Sequence, residues 1–109
     1  MSWEEFLWHM DRRLGMYVGR SRYERAFSAL VGFDLARGQG ELVAFQEWMS
    51  ARHRGSNLVF WYLVLVETFG EGATEDHLVS DQDHERAVSN LCRLLREFLA
   101  QQMSTADQH

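Results

Sequence analysis

The sequence predicts a mainly α protein, a compact bundle of about five helices with a hydrophobic central helix. Three observations lead there. Apolar residues recur at intervals of three and four along several separate stretches, a serine followed three residues later by an acid stands at the start of three of them, and glycine alone punctuates a chain that has no proline. At 109 residues the chain has the size of one domain, long enough to bury about two-thirds of its unfolded surface around a single core. Residues 1–103 are read as that domain and residues 104–109 as a frayed tail.

The first helix is expected over residues 2–14. Ser2 and Glu5 form a capping-box pattern, Trp3, Phe6, Leu7, Met10 and Leu14 share one face, and Gly15 is a natural stop. After a short extended piece over residues 16–19, Ser21 and Glu24 repeat the box and open a helix to about Arg37 with the stripe Tyr23, Phe27, Leu30 and Val31. Gly38 and Gly40 break the chain before a third helix over residues 41–53, marked by Leu42, Phe45, Trp48, Met49 and Arg52.

The apolar run over residues 58–66 reads equally as a buried strand or a buried helix by periodicity. Helix is preferred, because Ser56 can cap it, the pattern extends through Phe69 to Gly70, and partner strands are lacking elsewhere. Apolar on all sides, such a helix belongs at the centre of the bundle. A polar connection over residues 70–79 leads to Ser80 and Asp83, the box that opens the last helix, whose stripe is Val88, Leu91, Leu94, Leu95, Phe98 and Leu99.

Charge is informative only when divided along the chain. Residues 1–70 hold eight acids and eight arginines, whereas residues 71–109 hold eight acids and three arginines, so the net charge of −5 lies in the last third. That acidity argues against nucleic-acid binding, which depends on neutralising phosphates. All basic residues other than histidine are arginine, and lysine and isoleucine are missing, as in proteins of GC-rich bacteria. Residues 1–5 carry no secretory pattern, and the nine-residue apolar run is too short for a bilayer of about 30 Å, so a cytoplasmic protein without membrane contact is expected.

Candidate chemistry is sparse. Glu71, Glu75, Asp76, His77, Asp81, Asp83, His84 and Glu85 include metal-ligand types, yet the two histidines are not four apart on one helix face and no calcium-loop glycine or closing glutamate is present. Neither a metal nor any other cofactor is expected, and the cluster is read as a solvated helix start or an acidic docking surface. Cys92 flanks the last apolar stripe and is read as a small buried hydrophobe. No nucleophile elbow, phosphate-binding loop or dinucleotide fingerprint occurs. Asp34 falls within the apolar stripe of its helix, so it needs partners, for which Tyr17 or one of Arg12, Arg13 and Arg20 is expected. Trp8 lies about 140° around the first helix from Trp3, and reads as an interface anchor or as packing under a loop. Arg12, Arg13, Arg20, Arg22 and Arg25 read as solvated or as paired with the acidic third.

Residues 13–19, from Arg13 to Gly19, resemble an R-P-G-M-Y-x-G motif with leucine in place of proline. One resemblance is to the ATPase domain of the type II topoisomerase B subunit. That motif precedes a helix bearing a catalytic glutamate and, four residues on, a magnesium-binding asparagine. Here Glu24 is followed by Ser28 at that distance, so ATP hydrolysis is rejected. The second covers most of the chain. Gly32 to Ala36, then Phe45, Trp48 and Arg52, then Asn57 and Trp61 are similar to the pattern of small helical bacterial proteins, some of which look like immunity partners in toxin systems. The resemblance implies a non-catalytic, protein-binding module, with a basic toxin domain as the partner class. Glu75, Asp76, Asp81, Asp83, Glu85 and Trp8 are then the candidate contact residues. Two other readings stay open: a ligand-binding or enzymatic pocket in which Arg13, Tyr17 and Asp34 converge, and a structural homodimer that buries Trp8.

Overall fold

The computed structural model describes the backbone of residues 2–17 and 22–107 and the side chains within residues 2–10 and 23–102. It is a bundle of five helices, α1 (Trp3–Tyr17), α2 (Arg22–Arg37), α3 (Glu41–Arg52), α4 (Phe60–Phe69) and α5 (Asp81–Asp107), with a single 3-10 turn, Glu75–His77, between the last two. Among the described residues there is no strand. The 27-residue α5, about 40 Å long at 1.5 Å per residue, sets the 45 Å long axis of the molecule.

Of the serine boxes within the described residues, the one at Ser80 forms in full, and at Ser2 the serine caps the helix while its hydroxyl, not its amide, bonds the Glu5 carboxylate. Ser2 Oγ accepts from the Glu5 amide at 3.1 Å and its hydroxyl donates to Glu5 Oε1 at 3.3 Å. At the start of α5, Ser80 Oγ accepts from the Asp83 amide at 3.1 Å, and Asp83 Oδ2 returns the favour to the amides of Ser80 and Val79 at 3.0 and 3.1 Å. Ser21 and the extended stretch expected at Val18 and Gly19 lie outside the described residues.

Two expected boundaries are corrected. Gly15 does not end α1, which runs on to Tyr17, because a glycine inside a helix costs only about 1 kcal/mol relative to alanine and needs no break. Ser56 does not cap α4. It accepts from the Leu58 amide at 3.2 Å in a local turn, and the helix begins behind Val59, an extended residue without a side-chain cap. The cap comes instead from α3: Gln46 Oε1 accepts from the Phe60 amide at 2.6 Å while its Nε2 donates to Leu58 O at 3.1 Å. The last helix runs to Asp107.

Residues 60–69 are helix rather than strand, and none of them is exposed. The hub of the bundle, however, is α5, which packs against all four other helices. Its stripe is buried from Ala87 to Phe98, with Leu99 half-buried at the margin. A run of aromatic contacts ties the remaining helices together. Phe33 on α2 stacks on Phe6 at 4.3 Å and meets Trp3 edge-on at 4.8 Å. Phe45 on α3 meets Phe60 on α4 and Phe98 on α5 at 5.2 and 5.6 Å. Tyr23 on α2 stacks on Trp61 at 3.8 Å and donates its hydroxyl to the Trp61 carbonyl at 2.6 Å. Cys92 is fully buried, its sulfur 4.0 Å from the Leu7 carbonyl, in the role of a small hydrophobe.

Candidate protein-binding surface

The α4–α5 connection is built to a fixed shape. Gly70, with φ 110°, closes α4 and sends its amide back to the Val66 carbonyl at 2.8 Å, a conformation that residues with a Cβ rarely adopt. Thr74 then caps the 3-10 turn: its Oγ1 accepts from the Asp76 amide at 3.3 Å, and its own amide donates to His77 Nδ1 at 3.2 Å. His77 also stacks on Phe69 at 5.9 Å. Leu78 is half-buried against the core, so the next residue, Val79, projects outward with 83% of its surface exposed.

The acids expected to contact a partner divide by role on this frame. Asp83 closes the α5 cap, and the amides of Ser80 and Val79 hold its carboxyl below the usual range. Glu75 accepts from the Tyr62 hydroxyl at 2.6 Å, tying the 3-10 turn to α4, and this bond together with the carboxylate charge raises the Tyr62 phenol. Asp76, Asp81 and Glu85 are exposed, as is Glu71 just before them. The result is a run of exposed acids, with the exposed Val79 among them in sequence, on a hydrogen-bonded loop and the first turns of a helix.

Trp8 is carried by α1 rather than by the α4–α5 connection. It is 46% exposed on α1, edge-on to His9 at 5.1 Å, and lines a shallow hollow with Ser2, Glu4, Glu5 and His9. His84, grouped with the acids by sequence, is half-buried and acts across the fold. Its Nδ1 accepts from the Tyr23 amide at 3.2 Å and so caps the first turn of α2 from α5. Nothing local in the sequence signals that contact, because the two residues are 61 positions apart.

Of the expected pocket of Arg13, Tyr17 and Asp34, the Arg13 and Tyr17 side chains, like those of Arg12, Arg20 and Arg22, lie outside the described residues. Asp34 has another task than the one expected. Its Oδ1 accepts from the Leu42 amide at 3.3 Å, supplying the cap that Gly40, the left-handed N-cap residue of α3 at φ 68°, cannot provide. Among the described residues no group of three or more histidine, cysteine or acidic side chains is placed to hold a metal ion.

A charged network joins three of the helices. Glu67 on α4 receives Arg52 Nε at 2.9 Å and Nη2 at 3.1 Å, and His53 Nε2 lies 2.8 Å from its Oε2. Burial pushes the Glu67 carboxyl up, but the Arg52 and His53 hydrogen bonds outweigh it and hold the group below the usual carboxylate range. Arg52 reaches on to Glu97 of α5 at 3.6 Å, which joins α3, α4 and α5 at one point.

Compared with known protein families, curated proteins and solved structures, the chain matches none. Among the described residues no helix is long and apolar enough to cross a membrane.

Proposed function

We propose that the protein is a non-catalytic binding module that covers a basic surface of another protein with its acidic α4–α5 connection. The observation that supports this reading is the exposure of Glu71, Asp76, Asp81, Glu85 and Val79 in one short stretch of chain, part of it a loop held by its own hydrogen bonds. An exposed apolar side chain in a segment rich in exposed acids offers the ingredients of a small interface, an apolar contact with a polar rim. Because the loop is already ordered, little conformational entropy remains to be lost on docking. The excess of acids in residues 71–109 would steer a basic partner toward this end of the molecule. The sequence resemblance to immunity partners of toxins supports the same reading and suggests a basic toxin domain, bound in the cytoplasm of a bacterium, as the partner.

The test is affinity capture at low salt with the wild-type chain and with a triple variant, Asp76→Asn, Asp81→Asn and Glu85→Gln. Asp83 and Glu75 are left intact because the first closes the α5 cap and the second holds Tyr62. A basic protein retained by the wild type and lost by an equally stable triple variant is the expected outcome. Retention of the same protein by both would contradict the acidic-surface mechanism.

A further inference from the structure

On the seam between α4 and α5 is an open hollow of about 400 Å³, lined by Glu67, Thr68, Arg86, Ser89, Asn90 and Arg93. Every lining residue is polar or charged. Arg86 and Arg93 are seven residues apart on α5, about two turns or 10 Å along one face, with Ser89 and Asn90 between them.

Both guanidinium groups are held in place. Arg86 Nη2 donates to the Thr68 carbonyl at 3.1 Å, and its guanidinium lies 5.1 Å over the Phe69 ring. Among the described residues no carboxylate stands within ion-pair distance of it, so most of its five donors remain for a ligand. Arg93 directs Nε and Nη2 to Asn90 Oδ1 at 3.0 and 2.6 Å, and its Nη1 is 3.6 Å from Glu97. Asn90 is itself oriented by donating to Thr68 Oγ1 at 3.0 Å, and Thr68 in turn donates to the Val64 carbonyl at 2.7 Å. The one acid in the lining, Glu67, is already engaged by Arg52 and His53. The hollow therefore presents a pre-oriented arginine that no carboxylate engages directly among the described residues, with the Asp83 charge acting on it from the preceding turn, and a second arginine on the same helix face.

We infer that this hollow is a binding site for a small oxyanion group, a phosphoryl or a carboxylate, with Arg86 as its principal donor and Arg93 as the second. A planar guanidinium matches the two oxygens of either group bidentately. An arginine fixed by a carbonyl and a ring loses little further freedom on engaging them. The site is distinct from the acidic surface of the loop, so its failure would leave the binding-module reading untouched.

The experiment titrates the whole chain with sodium phosphate and, separately, with sodium acetate, at ionic strength matched by chloride. The Arg86 Nε and Asn90 side-chain amide signals are followed by proton–nitrogen NMR. A saturable change at both signals is expected, with about tenfold weaker binding in Arg86→Gln, the loss of one charge-assisted hydrogen-bonded contact. Arg93→Gln, at a side chain hydrogen-bonded to Asn90 of its own helix, provides the second variant should Arg86→Gln melt early, and it too is expected to weaken binding. Saturation by phosphate alone assigns the site to a phosphoryl group, and saturation by acetate as well assigns it to carboxylates. Changes that never saturate, or that persist undiminished in both variants, would overturn the inference.

Discussion

Tyr23 combines full burial, a stack on Trp61 and a hydrogen bond to the Trp61 carbonyl in one side chain. Tyr23→Phe keeps the stack but removes the hydroxyl's hydrogen bond to a carbonyl inside α4, and should cost about 0.5–1.5 kcal/mol in chemical denaturation, the usual net worth of one hydrogen bond. Burial pushes the Tyr23 phenol well above its ordinary value. A raised folded-state value means that its stabilising effect is complete below the unfolded tyrosine value of about 10 and is lost as pH rises beyond it. Alkaline unfolding followed by phenolate absorbance should therefore begin at higher pH in Tyr23→Phe, relative to that variant's own stability at neutral pH, than in the wild type. Trp61→Ala removes the other half of the stack and a ring that also meets Phe27 at 4.8 Å, and should cost about 3–5 kcal/mol.

At the scale of elements, the network around Glu67 joins three helices through partly exposed groups, so its worth lies between that of a surface ion pair and a buried charge-assisted hydrogen bond. Glu67→Gln should destabilise the fold by about 1 kcal/mol at neutral pH. Because the Glu67 carboxyl is held low in the folded state, its contribution is present above the unfolded glutamate value of about 4.3 and vanishes as pH falls through the folded value. Wild-type and variant melting curves should thus converge in acid. In the α3–α4 turn Arg54 sits at φ 60°, a left-handed conformation that costs a residue with a Cβ about 1 kcal/mol. Arg54→Gly should leave stability unchanged or raise it by up to about 1 kcal/mol, measured by thermal melting, since relief of that strain is partly offset by the greater freedom of glycine in the unfolded chain.

The same scale shows what the sequence reveals and what it does not. Helix positions were legible because the apolar stripes of α1, α2, α3 and α5 repeat with the helical period, and because the Ser2 and Ser80 boxes are local devices whose partners lie three residues away. The helical state of residues 60–69 was readable only by weighing length and missing partner strands. Ends set by tertiary contacts were not legible: Gln46 caps α4 from α3, Asp34 caps α3 from α2, and His84 caps α2 from α5. Gly15 misled for the opposite reason, since a residue of poor propensity can still be carried inside a helix. Within the candidate surface, composition located the acids but could not separate Asp83 and Glu75, which bind the frame, from Asp76 and Asp81, nor single out the exposed Val79.

For the whole molecule, the hub role of α5 has a functional corollary. The helix that carries Asp81 and Glu85 at one end is anchored by its apolar stripe to every other helix, so the acidic surface is mounted on the most firmly packed element. Such a surface should meet its partner close to rigidly, and its charges should act chiefly on the rate of encounter. The most direct measurement is the association rate constant of the captured basic partner, by stopped-flow fluorescence, as ionic strength is raised from about 10 mM to about 500 mM, over which the screening length falls from about 30 Å to below 5 Å. A fall in the rate constant of at least about tenfold is expected for the wild type, with a markedly flatter dependence for the Asp76→Asn, Asp81→Asn, Glu85→Gln variant. A rate constant that is independent of salt in the wild type, or equally dependent in the variant, would contradict a mechanism built on the acidic surface.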